Sequence, residues 1–105
     1  MRLTAATVDL TRDRVLRGEE SLDLTGREAD LLRYLCGNPS RIVTRGELLA
    51  EVWGYADTVV SRACDNTVRR LREKIEADPS NPVRIATVWG VGYRWEGLTP
   101  AEVAD

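Results

Sequence analysis

The chain alternates apolar and polar positions in short bursts up to Leu24, shifts to a helical period from Thr25 to Glu76, and returns to alternation between Val83 and Trp95. In the first region Leu3, Thr7-Val8-Asp9-Leu10, Arg14-Val15-Leu16-Arg17 and Ser21-Leu22-Asp23-Leu24 read as short strands, separated by turn-formers at Thr11-Arg12-Asp13 and Gly18. This predicts a small four-stranded antiparallel sheet with one buried face. Thr25 and Glu28 then have the spacing of a capping box, so a helix is expected with Ala29, Leu32, Leu35 and Cys36 inward, stopped by Gly37-Asn38-Pro39. Ile42-Val43 is a candidate two-residue strand. Thr44 and Glu47 repeat the capping-box spacing and open a second helix whose apolar side is Leu48, Leu49, Val52 and Trp53, with Gly54 closing it. A loop over 54–60 leads into a third helix, which ends before Asp78-Pro79-Ser80-Asn81-Pro82. Val83, Ile85, Val91, Tyr93 and Trp95 supply a period of two around Gly90 and Gly92, the signature of a hairpin. The order of short strands, three helices and a terminal hairpin is that of an α+β winged helix-turn-helix. It occupies residues 1–96, with 97–105 expected as a frayed tail.

The third helix carries the chemistry. In Ser61 to Glu76, Cys64, Val68, Leu71 and Ile75 follow at steps of four, three and four, which puts them on one face. At about 100° per residue the opposite face centres on Arg62, Asn66, Arg69, Arg70 and Glu73. Arg donates two parallel hydrogen bonds to guanine, and Asn pairs in the same bidentate way with adenine. An outer ridge of Arg and Asn over a buried stripe therefore suits the major groove of DNA, and Asn66 is taken as a base reader from this wheel alone. Asp65, on the flank of the stripe, is read as structural, pairing with a nearby Arg or a backbone donor. The plainer alternative for the ridge is a solvated face of mixed charge. Of the three tryptophans, Trp53 and Trp95 fall on core positions. Trp89 sits at the hairpin tip as a surface aromatic: a wedge for DNA, a contact for protein, or simply exposed.

Composition adjusts this picture without overturning it. The chain is long enough for one domain with a hydrophobic core, and 43% apolar with 30% charged residues is an ordinary profile. The net charge of −2 alone would count against a nucleic-acid binder. Its distribution restores the case: Arg62, Arg69, Arg70, Arg72 and Lys74 outweigh Asp65 and Glu73, while Glu19, Glu20, Asp23, Glu28, Asp30, Glu47, Glu51, Glu102 and Asp105 lie elsewhere. Such a surface lowers non-specific affinity while leaving one basic face. Fourteen of the fifteen basic residues are Arg, a global bias better explained by genome composition than by recognition. No apolar run approaches the roughly 20 residues that cross a bilayer, and no signal-peptide pattern is present, so a cytoplasmic location with no membrane partner is expected. Cys36 and Cys64 read as small buried hydrophobes, and with no His in the chain no metal site or cofactor is expected.

Five pieces, in this order and spacing, resemble the C-terminal effector domain of OmpR/PhoB-type response regulators. They are Leu24-Thr25-Gly26-Arg27-Glu28 with Leu31-Leu32, Val43-Thr44-Arg45 with Leu48, Val52-Trp53-Gly54, Val68 to Ile75 with Asp65, and Thr87 to Arg94. The likeness covers about residues 2–96. It implies sequence-specific binding of double-stranded DNA for transcription regulation, with the third helix in the major groove, the hairpin as a wing reaching the adjacent minor groove, and head-to-tail association on direct-repeat promoter sites. By position, Arg62, Ala63, Thr67 and Arg70 fall where members of the family read bases. Arg69, Arg72, Lys74 and Thr87 fall where they hold the backbone or flank the site, and Trp89 with Gly90 forms the wing tip. Gly54, Tyr55, Ala56, Asp57 and Thr58 fall in the loop that commonly touches RNA polymerase. Three positions depart from the family: Trp89 stands where Arg is frequent, Ala63 replaces a residue that is often polar, and the loop lacks an acidic cluster. Ala63 still suits a thymine methyl. The family also carries an N-terminal phosphoacceptor receiver, which 105 residues cannot hold. The resemblance thus implies a piece of a longer parent chain or a stand-alone regulator, and the start at a strand favours the former.

Two other classes compete. A winged helix used as a protein-interaction module draws support from the acidic surface and the missing wing Arg. An architectural, sequence-neutral DNA binder is disfavoured by Asn and Arg sharing one ridge. Catalysis is disfavoured because there is no His for proton transfer near neutral pH, no phosphate loop and no activated nucleophile.

Overall fold

A computed structural model describes residues 1–56 and 61–96. The order is β1 (Thr7–Asp9), β2 (Arg14–Arg17), β3 (Glu20–Asp23), α1 (Gly26–Cys36), β4 (Val43–Thr44), α2 (Arg45–Trp53), α3 (Ala63–Ile75), β5 (Ile85–Val88) and β6 (Gly92–Trp95). The strands form two antiparallel sheets, β1-β2-β3 and β4-β6-β5. In the first, Val8 pairs with Val15 and Val15 with Leu22, which turns Val8 and Val15 into the core and leaves Leu16 outside.

The expected four-stranded N-terminal sheet has three strands. The Leu3 N–H donates to the Ala6 carbonyl at 2.7 Å, a reversal so tight that Arg2 meets Thr7 in a single bridge instead of a ladder. Leu3 and Ala6 nevertheless bury their side chains.

Around Thr25 the local chemistry is fully used. The Thr25 hydroxyl accepts the Glu28 N–H at 3.2 Å, and the Glu28 carboxylate accepts the Thr25 N–H at 2.9 Å. The second such pattern forms only its first half. Thr44 accepts the Glu47 N–H at 3.0 Å, but the Glu47 carboxylate turns to Arg41 and Tyr34.

Ala29, Leu32 and Leu35 of α1, Leu48, Leu49 and Val52 of α2, and Cys64, Val68, Leu71 and Ile75 of α3 close one core with Val43, Ile85, Tyr93 and Trp95. Burial of an aliphatic side chain of this size is worth about 1.5–3 kcal/mol. Cys36 and Trp53, read as inward, are only half-buried at the helix ends. Val83 and Val91 are exposed because each falls outside a strand: Val83 precedes β5, and Val91 belongs to the turn before β6.

The second sheet places the hairpin against the helices. A Cβ on Gly92 would lie 2.1 Å from the Val43 carbonyl oxygen, so only glycine lets β6 approach β4 this closely. At the other end of α3 the chain is fixed by Glu76, whose buried carboxylate accepts the N–H groups of Val83, Arg84 and Ile85 at 2.9–3.1 Å. No helix among the described residues is long and apolar enough to cross a membrane.

Candidate nucleic-acid interface

The helix α3 presents Arg62, Asn66, Arg69, Arg70 and Glu73 on its exposed face, as its hydrophobic period requires. Among the described residues, the guanidiniums of Arg62, Arg69 and Arg70 enter no hydrogen bond or ion pair, although the Arg62 charge lies near enough to Asp65 to favour its carboxylate. Their guanidiniums project from a helix whose other side is sealed by Cys64, Val68, Leu71 and Ile75. Ala63 is half-exposed at the first turn, where its N–H donates to the Ser61 hydroxyl at 3.1 Å. Thr67, grouped with the base readers by position, is 5% exposed and offers almost no surface, because three residues after Cys64 and four before Leu71 it lies on the buried face itself.

The remaining cations of the helix point inward to other partners. Arg72 donates through Nε and Nη2 to the Ile85 carbonyl at 3.1 and 2.6 Å, and through Nη2 to the Thr87 hydroxyl at 2.8 Å. This ties α3 to β5, and burial pulls the Arg72 guanidinium below its ordinary value. Lys74 donates to the Glu28 carboxylate at 2.5 Å and to the Asp23 carbonyl at 2.8 Å, joining α3 to the β3–α1 junction. Arg72, Lys74 and Thr87 thus act within the fold. Arg69 alone of the four positions assigned to backbone contacts is an exposed cation.

A cluster at the junction of α2, α3 and the hairpin is only partly legible in the sequence. The Asp65 carboxylate accepts Arg45 Nε at 2.8 Å and the Tyr93 hydroxyl at 2.5 Å, so the structural reading of Asp65 holds. Arg45 and Tyr93 were not singled out for this role, because nothing local links them to a residue on another helix. The Arg45 and Arg72 guanidiniums lie 5.0 and 5.5 Å from the Tyr93 ring centroid. Burial raises the Asp65 carboxyl, but the bonds from Tyr93 and Arg45 more than offset this and hold it below the usual carboxylate range. Burial, with the bond to Asp65, pushes the Tyr93 phenol up to about 12, so the hydroxyl keeps its proton as donor. The cluster sets the spacing between the exposed ridge and the hairpin.

At the hairpin tip, Val91 N–H bonds back to the Val88 carbonyl at 2.9 Å, with Gly90 at a φ of +75° that suits glycine. Trp89 is 88% exposed there. Gly54, Tyr55 and Ala56 follow α2 directly, with Tyr55 exposed, while Asp57 and Thr58 of the same loop lie outside the described residues, as does the tail from 97 to 105. Burial pushes both the Cys36 and Cys64 thiols up to about 12, which leaves little thiolate for reaction or metal binding at neutral pH. Among the described residues no group of His, Cys, Asp or Glu is disposed to hold a metal ion.

Known proteins agree with this geometry. Residues 18–95 match the family model described as "Transcriptional regulatory protein, C terminal". The sensory transduction protein RegX3 of Mycobacterium tuberculosis is 44% identical over 90 residues, covering 86% of this chain and 40% of that protein. The DNA-binding response regulator MtrA of the same species is 42% identical over 87 residues, covering 83% of this chain and 38% of its own length. The chain therefore spans about 40% of the length of the curated relatives it matches. Among solved structures, the RstA DNA-binding domain of Klebsiella pneumoniae, determined in complex with RstA box, superposes with a TM-score of 0.73 at 28% identity, over 91% of this chain and 95% of that one. The response regulator DrrB of Thermotoga maritima, an OmpR/PhoB homolog, gives 0.76 at 33% identity, over 92% of this chain and 44% of its own. The chain belongs to the C-terminal family of transcriptional regulatory proteins, as a winged-helix DNA-binding effector domain of the OmpR/PhoB response-regulator type.

Proposed function

We propose that the domain lays α3 in the major groove and reads bases with Arg70, Arg62 and Asn66, aided by Ala63 against a thymine methyl, while Arg69 holds a flanking phosphate. The observation that carries this reading is the division of cations on α3. Arg72 and Lys74 have internal partners, whereas Arg62, Arg69 and Arg70 are exposed and make no internal bond among the described residues. Guanidiniums with no internal hydrogen bond are available for bidentate bonds to guanine or phosphate. Two copies arranged head to tail on a direct repeat fit a domain that presents one recognition helix. The length of the relatives, of which this chain spans about 40%, supports a longer parent chain, which we read as carrying a receiver domain and working in the cytoplasm, and the exposed Tyr55 beside Gly54 and Ala56 supports a contact with RNA polymerase from the same loop.

Selection from a random duplex library at moderate salt tests the reading. Enrichment of a direct repeat with half-sites about one helical turn apart is expected. Arg70→Ala is expected to cost about 1–3 kcal/mol of binding on the selected site and to relax preference at one base position, measured by anisotropy titration against single-base variants. Unchanged site preference in that variant, or no DNA retained at low salt, contradicts it.

A further inference from the structure

We infer that Trp89 is a neutral, apolar minor-groove contact, packing its indole against the deoxyribose walls beside the site that α3 reads; this rests on the DNA reading above. An α-helix with its side chains is about 10–12 Å across and nearly fills a major groove about 12 Å wide. Whatever is fixed beside the helix therefore meets the flanking backbone and the neighbouring minor groove. The hairpin is fixed in that place. Arg72 ties α3 to Ile85 and Thr87, Asp65 ties it to Tyr93, and the Arg45 N–H bonds the Val91 carbonyl at 3.4 Å. The tip these bonds support is Trp89-Gly90-Val91, with Trp89 and Val91 both exposed and no charge among the three. The neighbouring hairpin cation, Arg94, is occupied by Glu96 at 2.8 Å. A tip without charge cannot bind phosphates as the α3 ridge does. Its large planar side chain matches the apolar sugar walls of the minor groove, a groove that also admits apolar side chains as wedges between base steps. Contact at the flank is then independent of salt, and discrimination there follows groove width and the ease of opening a base step instead of electrostatic potential.

The test uses the whole chain with the duplex obtained by selection, titrated by anisotropy at three salt concentrations for wild type, Trp89→Ala and Trp89→Arg. Both substitutions fall on an exposed turn and are expected to leave the melting temperature unchanged. Trp89→Ala is expected to weaken binding about tenfold at every salt concentration, with the slope of affinity against salt unaltered. Trp89→Arg is expected to steepen that slope by about 1, as a phosphate-bound counterion is newly released. The Trp89 emission, taken as the difference between wild type and Trp89→Ala, becomes shielded from acrylamide on DNA. Equal affinity of wild type and Trp89→Ala for a duplex that wild type binds overturns the wedge alone. Failure of wild type to bind any duplex overturns the DNA reading and the wedge with it.

Discussion

The two ends of α3 carry the same kind of residue in opposite employment. From Arg62 to Arg70 the guanidiniums face outward without internal partners among the described residues, whereas Arg72 and Lys74, within a turn of Arg70, are drawn into the β5 strand and the β3–α1 junction. What separates them is the surface opposite each side chain. Arg72 meets the Ile85 carbonyl and the Thr87 hydroxyl, and Lys74 meets a carboxylate that is 2% exposed. Among the described residues nothing of that kind bonds the guanidinium of Arg69 or Arg70. A local excess of positive charge on a helix therefore overstates its capacity for DNA. The inward cations still serve the outward ones indirectly, since they fix the helix that presents them.

The sharpest way to break this division is to remove Lys74. Lys74→Met leaves Glu28 buried with its charge uncompensated, and loss of one partner of such a pair costs about 3 kcal/mol of folding stability. Chemical denaturation reads this directly, while the folded fraction binds DNA with wild-type affinity. A loss of DNA affinity with unchanged stability would return Lys74 to the interface. Arg72→Ala removes two bonded groups of the hairpin and one guanidinium beside Tyr93, for about 2 kcal/mol of stability. Its salt slope on DNA stays as in wild type, because no phosphate contact is lost. Arg69→Ala should show the reverse: a melting temperature within a degree or two of wild type, and a salt slope lower by about 1 across all sequences.

How far the sequence carried the reading follows from the range of each interaction. The Thr25–Glu28 box and the stripe of Cys64, Val68, Leu71 and Ile75 depend on residues within one helix, and both are present as read. The outward place of Arg62, Asn66, Arg69 and Arg70 follows from the same periodicity. The exposed Trp89 was also legible, because a hairpin tip has no neighbour to bury it. Where a partner comes from elsewhere in the chain, local pattern fails. Glu47 abandons its own helix for Arg41 and Tyr34, Lys74 reaches back to residues 23 and 28, and Asp65 finds Arg45 and Tyr93. The fourth N-terminal strand fails for another reason: alternation at Leu3 cannot reveal that the next residues reverse the chain after one bridge.

The smallest expected effect separates two acidic groups by their setting. Hydrogen bonds from Arg41, then from Tyr34, hold the Glu47 carboxyl down at about 2, below the ordinary value near 4.3. A group whose folded value is depressed adds stability above its ordinary value and loses it as pH falls toward the folded one. The Glu47 contribution is therefore complete above about pH 5 and fades between about pH 4 and 2. Both partners of the Arg41–Glu47 pair are substantially exposed, so salt screens it. Asp65 is depressed in the same direction and its pair with Arg45 is just as open to solvent, but its chief holding bond comes from the neutral hydroxyl of the buried Tyr93, which salt does not screen as it screens an ion pair. Melting temperatures followed from pH 6 to pH 2 should then fall less steeply in Glu47→Gln than in wild type, and added salt should reduce that difference. In Asp65→Asn the acid-dependent difference should survive added salt, because the chief bond it removes is donated by the neutral Tyr93 hydroxyl and not by a cation. Equal salt sensitivity of the two differences would mean that the Arg45 ion pair and not the Tyr93 bond holds Asp65, and the rigid mounting of ridge and wing through Tyr93 would go with it.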